Sequence, residues 1–591
     1  MSLDPVTLVL VQNRLDYICR QMGWVMMRTA RSPIFSVAHD FSCFITDSKG
    51  SIVSQSDGLP IHSGGGGFAV RALLEVFGSN VSDGDAFLLS DPYVAGGNHL
   101  PDWVIARPVF VSGRLVAFCC NRAHQSDIGG GAPGTYNSAA TEIFHEGLRL
   151  PPVHLVEKGE VCADLWRLLL LNTRSPELMD GDLRAMLGST RIGIDQTAES
   201  VGSLGEGQGA DYLAGILDAG ERRMRAAIAE IPDGTYSGED VMDNDCFSPA
   251  RYAIRLSMTI KGDRMTIDFT GTDPQMKGFK NSSIANTHSA AYLGVASFLE
   301  PTLPKNEGTF RAISIIAPKG SLVNANPPAP MTMNTIFPGT EIIHAVWQAL
   351  GQAVPARSCA FWGKNSVPIM SGRRLDGSQY YMYHWGGAIG GGAVDGRDGF
   401  NAMGAQNALG ALVLPDIELY EQSYPVCFLH QEFRTDTAGP GKYRGGTGLD
   451  YAVEVDSPTT LSLRGEGVRT VSSFGAAGGK AGAKANLTLK FDDGTEMEPP
   501  QYGVITVKPM RLYLSGAAGG GWGDPYDRNP ELVLRDVRDG VVSEEAARAE
   551  YGVIIDKTNW SIDIPATDRM RATLRAKSAV AVRVLTERKQ T

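Results

Sequence analysis

Two short elements of one form carry the residue types for metal chemistry: His99-Leu100-Pro101-Asp102 and His124-Gln125-Ser126-Asp127. Each H-x-x-D stands among glycines at the polar end of an expected strand. Two imidazoles and a carboxylate commonly hold a divalent cation while leaving positions open. Such a cation lowers the pKa of bound water or polarises a carbonyl. Zinc and manganese both suit the donor set, so the metal stays open between them. The competing reading is plainer: surface loop residues, with the two aspartates capping turns. Asp40, in His39-Asp40-Phe41-Ser42-Cys43, is either a further ligand or a carboxylate at the start of a strand. Glu142, His145 and Glu146 fall at helical spacing, as groups behind the site or as a solvated face. His62, just before a glycine run, reads as a turn residue, with donation to a substrate as the sharper alternative. His344 reads as a core histidine in an apolar helix.

A hairpin must position the two H-x-x-D elements. Val104–Val111 and Arg114–Asn121 are strand-like and flank the Ser112-Gly113 turn. Paired residue numbers then sum to about 225, which sets Asp102 opposite Ala123 and beside His124. The open end gathers His99, Asp102 and His124, with Asp127 next in line. Around this hairpin the pattern predicts a helix from Asp4 and Pro5 to about residue 30, with Asp4 as N-cap and Pro5 at the first helical position. A second helix, Phe68–Phe77, follows Gly64–Gly67, and its N-terminus either holds an anion or is merely a flexible start. Residues 163–230 read as helical. From about 235 the chain turns strand-rich, with Tyr252–Ile260 and Met265–Phe269 around a Lys261-Gly262-Asp263 turn. Thr340–Leu350 reads as a helix, residues after 425 as strands with glycine turns, and Thr567–Lys589 as a basic helical tail. The expected fold class is α+β: a large multi-lobed body with mixed β-sheets, a central helical stretch and a β-rich C-terminal part. The expected lobes are 1–234, carrying the metal site, 235–424, and 425–591.

Composition narrows the function. Lys and Arg number 54 against 65 Asp and Glu, a net charge of −11 over 591 residues. An acidic chain without a dense basic block argues against nucleic acid as the main partner. No apolar run reaches about 18 residues, so no membrane span is expected. Eight cysteines without a C-x-x-C, and an N-terminus that reads as a helix rather than a leader, set a reducing cytosol as the expected compartment. The 69 glycines cluster at Gly64–Gly67, Gly129–Gly131, Gly386–Gly392 and Gly519–Gly523, as expected of loops where backbone closely approaches a ligand or another backbone. Gly441-Lys442 is followed by Tyr443 and Gly479-Lys480 by Ala481, so neither forms a P-loop. No G-x-S-x-G or H-E-x-x-H is present.

Several segments together resemble the hydantoinase B/oxoprolinase family: Asp40-Phe41-Ser42-Cys43, Asp91-Pro92-Tyr93 through Gly96-Gly97-Asn98-His99-Leu100-Pro101-Asp102, and Glu146-Gly147-Leu148-Arg149-Leu150-Pro151-Pro152. Asp268-Phe269-Thr270-Gly271-Thr272, Gly439-Pro440-Gly441-Lys442-Tyr443-Arg444-Gly445-Gly446 and Gly519-Gly520-Gly521-Trp522-Gly523-Asp524-Pro525 extend the match, which Tyr551-Gly552-Val553 closes near the C-terminus. The resemblance implies a partner, a hydantoinase A-type subunit that binds ATP and Mg²⁺ and phosphorylates the substrate's carbonyl oxygen, in an α2β2 hetero-oligomer. It implies that the present chain completes hydrolysis of a hydantoin, lactam or 5-oxoproline-like ring. It places the metal on His99, Asp102 and His124, with Asp40 as an additional carboxylate. A water activated there then attacks the activated carbon, and Asp127 or Glu146 accepts its proton. The matching subunit of an acetone- or acetophenone-type ketone carboxylase is the alternative, and a non-catalytic scaffold is a third reading.

Overall fold

The computed structural model describes residues 3–55, 58–62, 64–205, 207–300, 302–364, 366–384, 387–408, 414 and 416–589, with backbone alone for 578–589. Gly386, the first residue of one expected glycine cluster, lies outside the described residues.

The chain opens with helix α1 (Pro5–Thr29), capped as its sequence predicts: the Asp4 carboxylate accepts the Thr7 N–H, and Pro5 takes the first helical position. A short helix α2 (Pro33–Ser36) then leads to His39, whose φ of 57° turns the chain sharply into the next strand. Strands β1 (Phe41–Asp47) and β2 (Ile52–Gln55) follow, then helix α3 (Gly66–Phe77), β3 (Ala86–Leu89), β4 (Asp102–Val111), β5 (Arg114–His124), β6 (Val153–Glu157) and β7 (Glu160–Val161). They form one antiparallel sheet of order β2-β1-β5-β4-β3-β6-β7. Both of its faces are covered. Phe41, Cys43, Ile45, Trp103, Ile105 and Cys119 face the main core, while Phe44, Phe87, Val104, Phe118 and Cys120 face α3. Strand alternation therefore sends Cys119 and Cys120 to opposite sides, each buried and free.

Three helices fill the expected helical stretch: α4 (Ala163–Leu171), α5 (Pro176–Gly202) and α6 (Gln208–Ala229). α5 packs along α1 and across β4 and β5. A second sheet of order β11-β10-β9-β8 joins β8 (Gly234–Met242), β9 (Tyr252–Lys261), β10 (Arg264–Asp268) and β11 (Ile313–Ile316), with α7 (Ile284–Leu299) between the last two strands in sequence. Helix α8 (Gly339–Ala353) lies on β8 and β9 and against α7.

The expected lobe boundary at 424/425 runs through a sheet. β12 (Ile369–Arg373) and β13 (Gln379–Tyr383) precede it; β16 (Thr459–Leu463) and β19 (Gly503–Val507) follow it; the order is β13-β12-β16-β19. Helix α9 (Ile417–Ser423) sits at the boundary itself. β14 (Cys427–Phe433), β15 (Leu449–Val455), β17 (Asn486–Lys490), β18 (Glu496–Met497) and β20 (Met510–Ser515) make a fourth sheet. The chain ends in α10 (Pro530–Arg538), α11 (Glu544–Tyr551) and α12 (Ile564–Lys589). One apolar core runs from Val11 to Tyr502 and includes Ile369, Tyr383 and Ala408. The glycine clusters bring backbone against backbone: Gly446 N–H donates to Gly391 O, Gly519 N–H to Gly446 O, and Gly520 N–H to Phe361 O. A Cβ on Gly519 would stand 2.0 Å from Gly391 O.

Candidate metal centre

The β4–β5 hairpin forms, one register step away from the simple count. Phe110 pairs with Leu115, but Val109 pairs with Ala117, so Val116 has no opposite residue. This bulge places Asp102 directly opposite His124 rather than Ala123. Directly opposed residues present side chains on the same face, Cβ atoms about 5 Å apart. His99 arrives three residues ahead of Asp102, from the loop that starts at Asp91.

The three side chains converge. His99 Nε2 lies 2.7 Å from Asp102 Oδ1, His124 Nδ1 lies 3.1 Å from the same oxygen, and the two ring nitrogens are 3.3 Å apart. All three ligand atoms fall within 4.8 Å of one another, and all three residues are buried. The remaining ring nitrogens are occupied. His99 Nδ1–H donates to the Thr332 carbonyl, and His124 Nε2–H to the Thr135 hydroxyl at 3.2 Å, whose own hydrogen goes to Gly134 O. With the outer nitrogens so engaged, both inner nitrogens face a carboxylate oxygen and each other. Three donor atoms gathered this closely suit a divalent cation, and fixing an imidazole through its outer N–H is how metal sites orient their ligands. The donor set fits a divalent metal on this ground.

The cavity around them measures about 30 Å³. Its described lining comprises Asp40, His62, His99, Asp102, His124, Tyr136, Thr335 and Asn407 with Leu59, Ile61, Ile336, Ala405 and Ala408, and includes no lysine or arginine. Burial resists ionisation of Asp102, yet His99 and His62 hold its carboxyl well below the ordinary range. Burial pushes the Asp40 carboxyl up, against the pull of His124 and His62. Burial likewise works against a charged His99, but Asp102 beside it raises the imidazole above its usual value. Two buried carboxyl groups in one small cavity again suit a cation.

Asp40 enters the cavity from the start of β1, where its carbonyl accepts the His124 N–H at 3.1 Å. Its carboxylate is not among the three groups within mutual ligand distance. Asp127 is placed elsewhere: it accepts the Gly129, Gly134 and Arg174 backbone N–H groups and pairs with the Arg174 guanidinium at 3.0 Å. It ties down the loop that carries Thr135 and Tyr136. Glu146 is also outside the cavity lining and accepts the backbone N–H groups of Met331 and Thr332. Neither carboxylate, as placed, can take a proton inside the cavity, because the backbone and the guanidinium already hold their oxygens. His145 makes a local contact, its Nδ1 3.3 Å from the Thr141 backbone nitrogen. His344 is a core histidine, as expected, bonded to Asp240 at 2.8 Å.

His62 is the residue that the spacing undervalued. Its Nε2 stands 3.2 Å from Asp102 Oδ2, and its Nδ1 3.0 Å from Ser42 Oγ. It sits in a 3-10 turn, Pro60–His62, about forty residues from the H-x-x-D pair. Its position before the glycine run was the one signal that pointed to it. Tyr136 stacks on His124 at 5.6 Å, with the Arg464 guanidinium 3.8 Å from its ring centroid.

The hydantoinase B/oxoprolinase family profile matches residues 4–525. The caprolactamase beta subunit of Pseudomonas jessenii is 36% identical over 97% of this chain and 99% of its own length. A B-type subunit of a D-/L-hydantoinase from a Pseudomonas species is 30% identical, covering 96% and 98%. The crystal structure of the ATP-dependent caprolactamase from Pseudomonas jessenii superimposes with a TM-score of 0.91 at 34% identity, covering 97% of this chain and 100% of that one. With these matches spanning the sheet, the hairpin and the H-x-x-D elements, the chain belongs to the hydantoinase B/oxoprolinase family.

Proposed function

We propose that this chain completes the ATP-dependent hydrolysis of a cyclic amide, such as a lactam, hydantoin or 5-oxoproline-like ring, after a hydantoinase A-type partner has phosphorylated the carbonyl oxygen. The observation that carries the reading is the meeting of His99 Nε2, His124 Nδ1 and Asp102 Oδ1 in a buried cavity. His99, Asp102 and His124 would hold zinc or manganese, with Asp40 close by. When bound, the ion supplies positive charge that activates water and stabilises charge developing on the substrate. Thr332 and Thr135 keep the two imidazoles oriented. Asp40 and His62 are further polar groups of the lining and would hold water or take its proton. The apolar lining excludes bulk water, which would otherwise decompose the activated substrate. A cavity of about 30 Å³ holds a water or two rather than a ring.

The test uses the chain reconstituted with its ATP-binding partner, measuring phosphate and ring-opened product together. Asp102→Ala should abolish ring opening while substrate-dependent phosphate release continues. Elemental analysis should find the metal gone from His124→Ala. Asp102→Ala that has lost its metal but keeps the wild-type product-to-phosphate ratio would make the ion structural and end the proposal. Carboxylated product from a ketone would favour the carboxylase reading instead.

A further inference from the structure

Asn407 stands in the cavity wall facing the metal ligands, and it comes from elsewhere in the chain. It belongs to a 3-10 turn, Gln406–Ala408, packed against the Pro60–His62 turn and α8. Only 5% of it is exposed, and its amide oxygen is buried with no hydrogen-bond partner among the described residues. Buried polar atoms in folded proteins are nearly always bonded, so one left open in a cavity points to a ligand or to water. The same lining holds Leu59, Ile61, Thr335, Ile336, Ala405 and Ala408. A carboxamide in a largely apolar surface is complementary to a ring of methylenes that carries one amide.

We propose, building on the ring-opening activity above, that Asn407 binds the ring nitrogen of the substrate and selects cyclic amides whose scissile nitrogen is unsubstituted. Once the carbonyl oxygen carries a phosphoryl group, the neutral ring nitrogen is double-bonded to carbon and presents a lone pair. Water then adds across that bond: one O–H bond breaks, the oxygen bonds to carbon, and the proton ends on nitrogen. The nitrogen is first an acceptor and then a donor. A carboxamide serves both states, with Nδ2–H donating to the lone pair and Oδ1 accepting the new N–H. An N-methyl ring presents no lone pair when activated, so in that state the Asn407 Nδ2–H has nothing to bond.

The reconstituted complex is offered ε-caprolactam, hydantoin and 5-oxoproline, and the ring that the wild type opens is compared with its derivative methylated on the scissile nitrogen. Asn407→Leu keeps the branching and the number of heavy atoms and removes both polar atoms. It should lower kcat/KM for the N–H ring by 10- to 100-fold with metal content unchanged, and shift the slower N-methyl ring by less than threefold. Asn407→Ser, which keeps a hydroxyl able to donate and accept, should retain more activity than Asn407→Leu and carries the comparison if the leucine variant does not fold. Wild-type kcat/KM in both variants, equal losses on both rings, or loss of metal would each overturn the assignment while leaving ring opening in place. A wild-type complex that opens none of the three rings overturns the proposed function, and this inference with it.

Discussion

Glu146 shows how a site residue can act without facing the site. It accepts the Met331 and Thr332 N–H groups, and the Thr332 carbonyl in turn receives the His99 Nδ1–H. Burial pushes its carboxyl up to about 7, although those backbone hydrogen bonds favour the charged form. Glu146→Ala should free the 331–332 segment and loosen His99. Metal affinity, measured by competition with a chelator, should fall about 10- to 100-fold, the usual effect of losing an outer partner of a ligand. Unchanged affinity would show that Thr332 is held without it. The H-x-x-D spacing made His99, Asp102 and His124 legible because each pair is local. Roles for Glu146, Asp127 and His62 were not legible, since their partners Thr332, Arg174 and Asp102 lie 186, 47 and 40 residues away. Asp127 and Glu146, read from the sequence as proton acceptors, stand outside the described cavity lining, on backbone N–H groups and the Arg174 guanidinium.

At the scale of elements, the turn residues and strand-like runs predicted the β4–β5 hairpin, but its register depends on one bulged residue. Without the bulge at Val116, Asp102 would face Ala123, and His124 would point to the other side of the sheet. A bulge of this kind needs no glycine, so nothing in the composition of the strand marks it. The loop before β4 is more tightly specified. A Cβ on Gly97 would stand 1.8 Å from the Ser90 carbonyl oxygen, which is backbone and has nowhere to go. Gly97→Ala must displace the segment that delivers His99 two residues later. The expected cost is about 1–3 kcal/mol, as for overpacking a core, accompanied by loss of bound metal. Thermal unfolding and elemental analysis of that variant provide the check. Wild-type values in both would mean that the loop yields without moving His99.

At the scale of the whole molecule, the sequence showed the mixture of helices and strands and the strand-rich C-terminal part. It did not show which strands pair across long separations, and so it set a boundary at 424/425 where β12 in fact pairs with β16. What joins the regions there is a buried charged network. Lys364 reaches Asp240 at 3.1 Å and Glu341 at 2.7 Å, Lys280 pairs with Glu466, and Tyr502 donates to Glu466 at 2.8 Å. Asp243 completes it, its N–H donating to Glu466 at 2.9 Å and its Oδ1 accepting from Gln501 at 2.6 Å. Burial, then the adjacent Glu466, pushes the Asp243 carboxyl up to about 7, so the folded chain keeps a proton that the unfolded chain releases near pH 4. A raised carboxyl pKa stabilises fully below the unfolded value and is lost as pH rises through the folded one. For one group the slope reaches at most about 1.4 kcal/mol per pH unit. Asp243→Asn has no proton to lose; its amide oxygen still accepts from Gln501 and its NH₂ can donate to Glu466. Urea unfolding at pH 5, 6, 7 and 8 should therefore show the wild type losing stability relative to Asp243→Asn as pH rises, with the gap widest at pH 8. Parallel curves would mean that Asp243 is already ionised in the folded chain and that Lys280 is shared between it and Glu466.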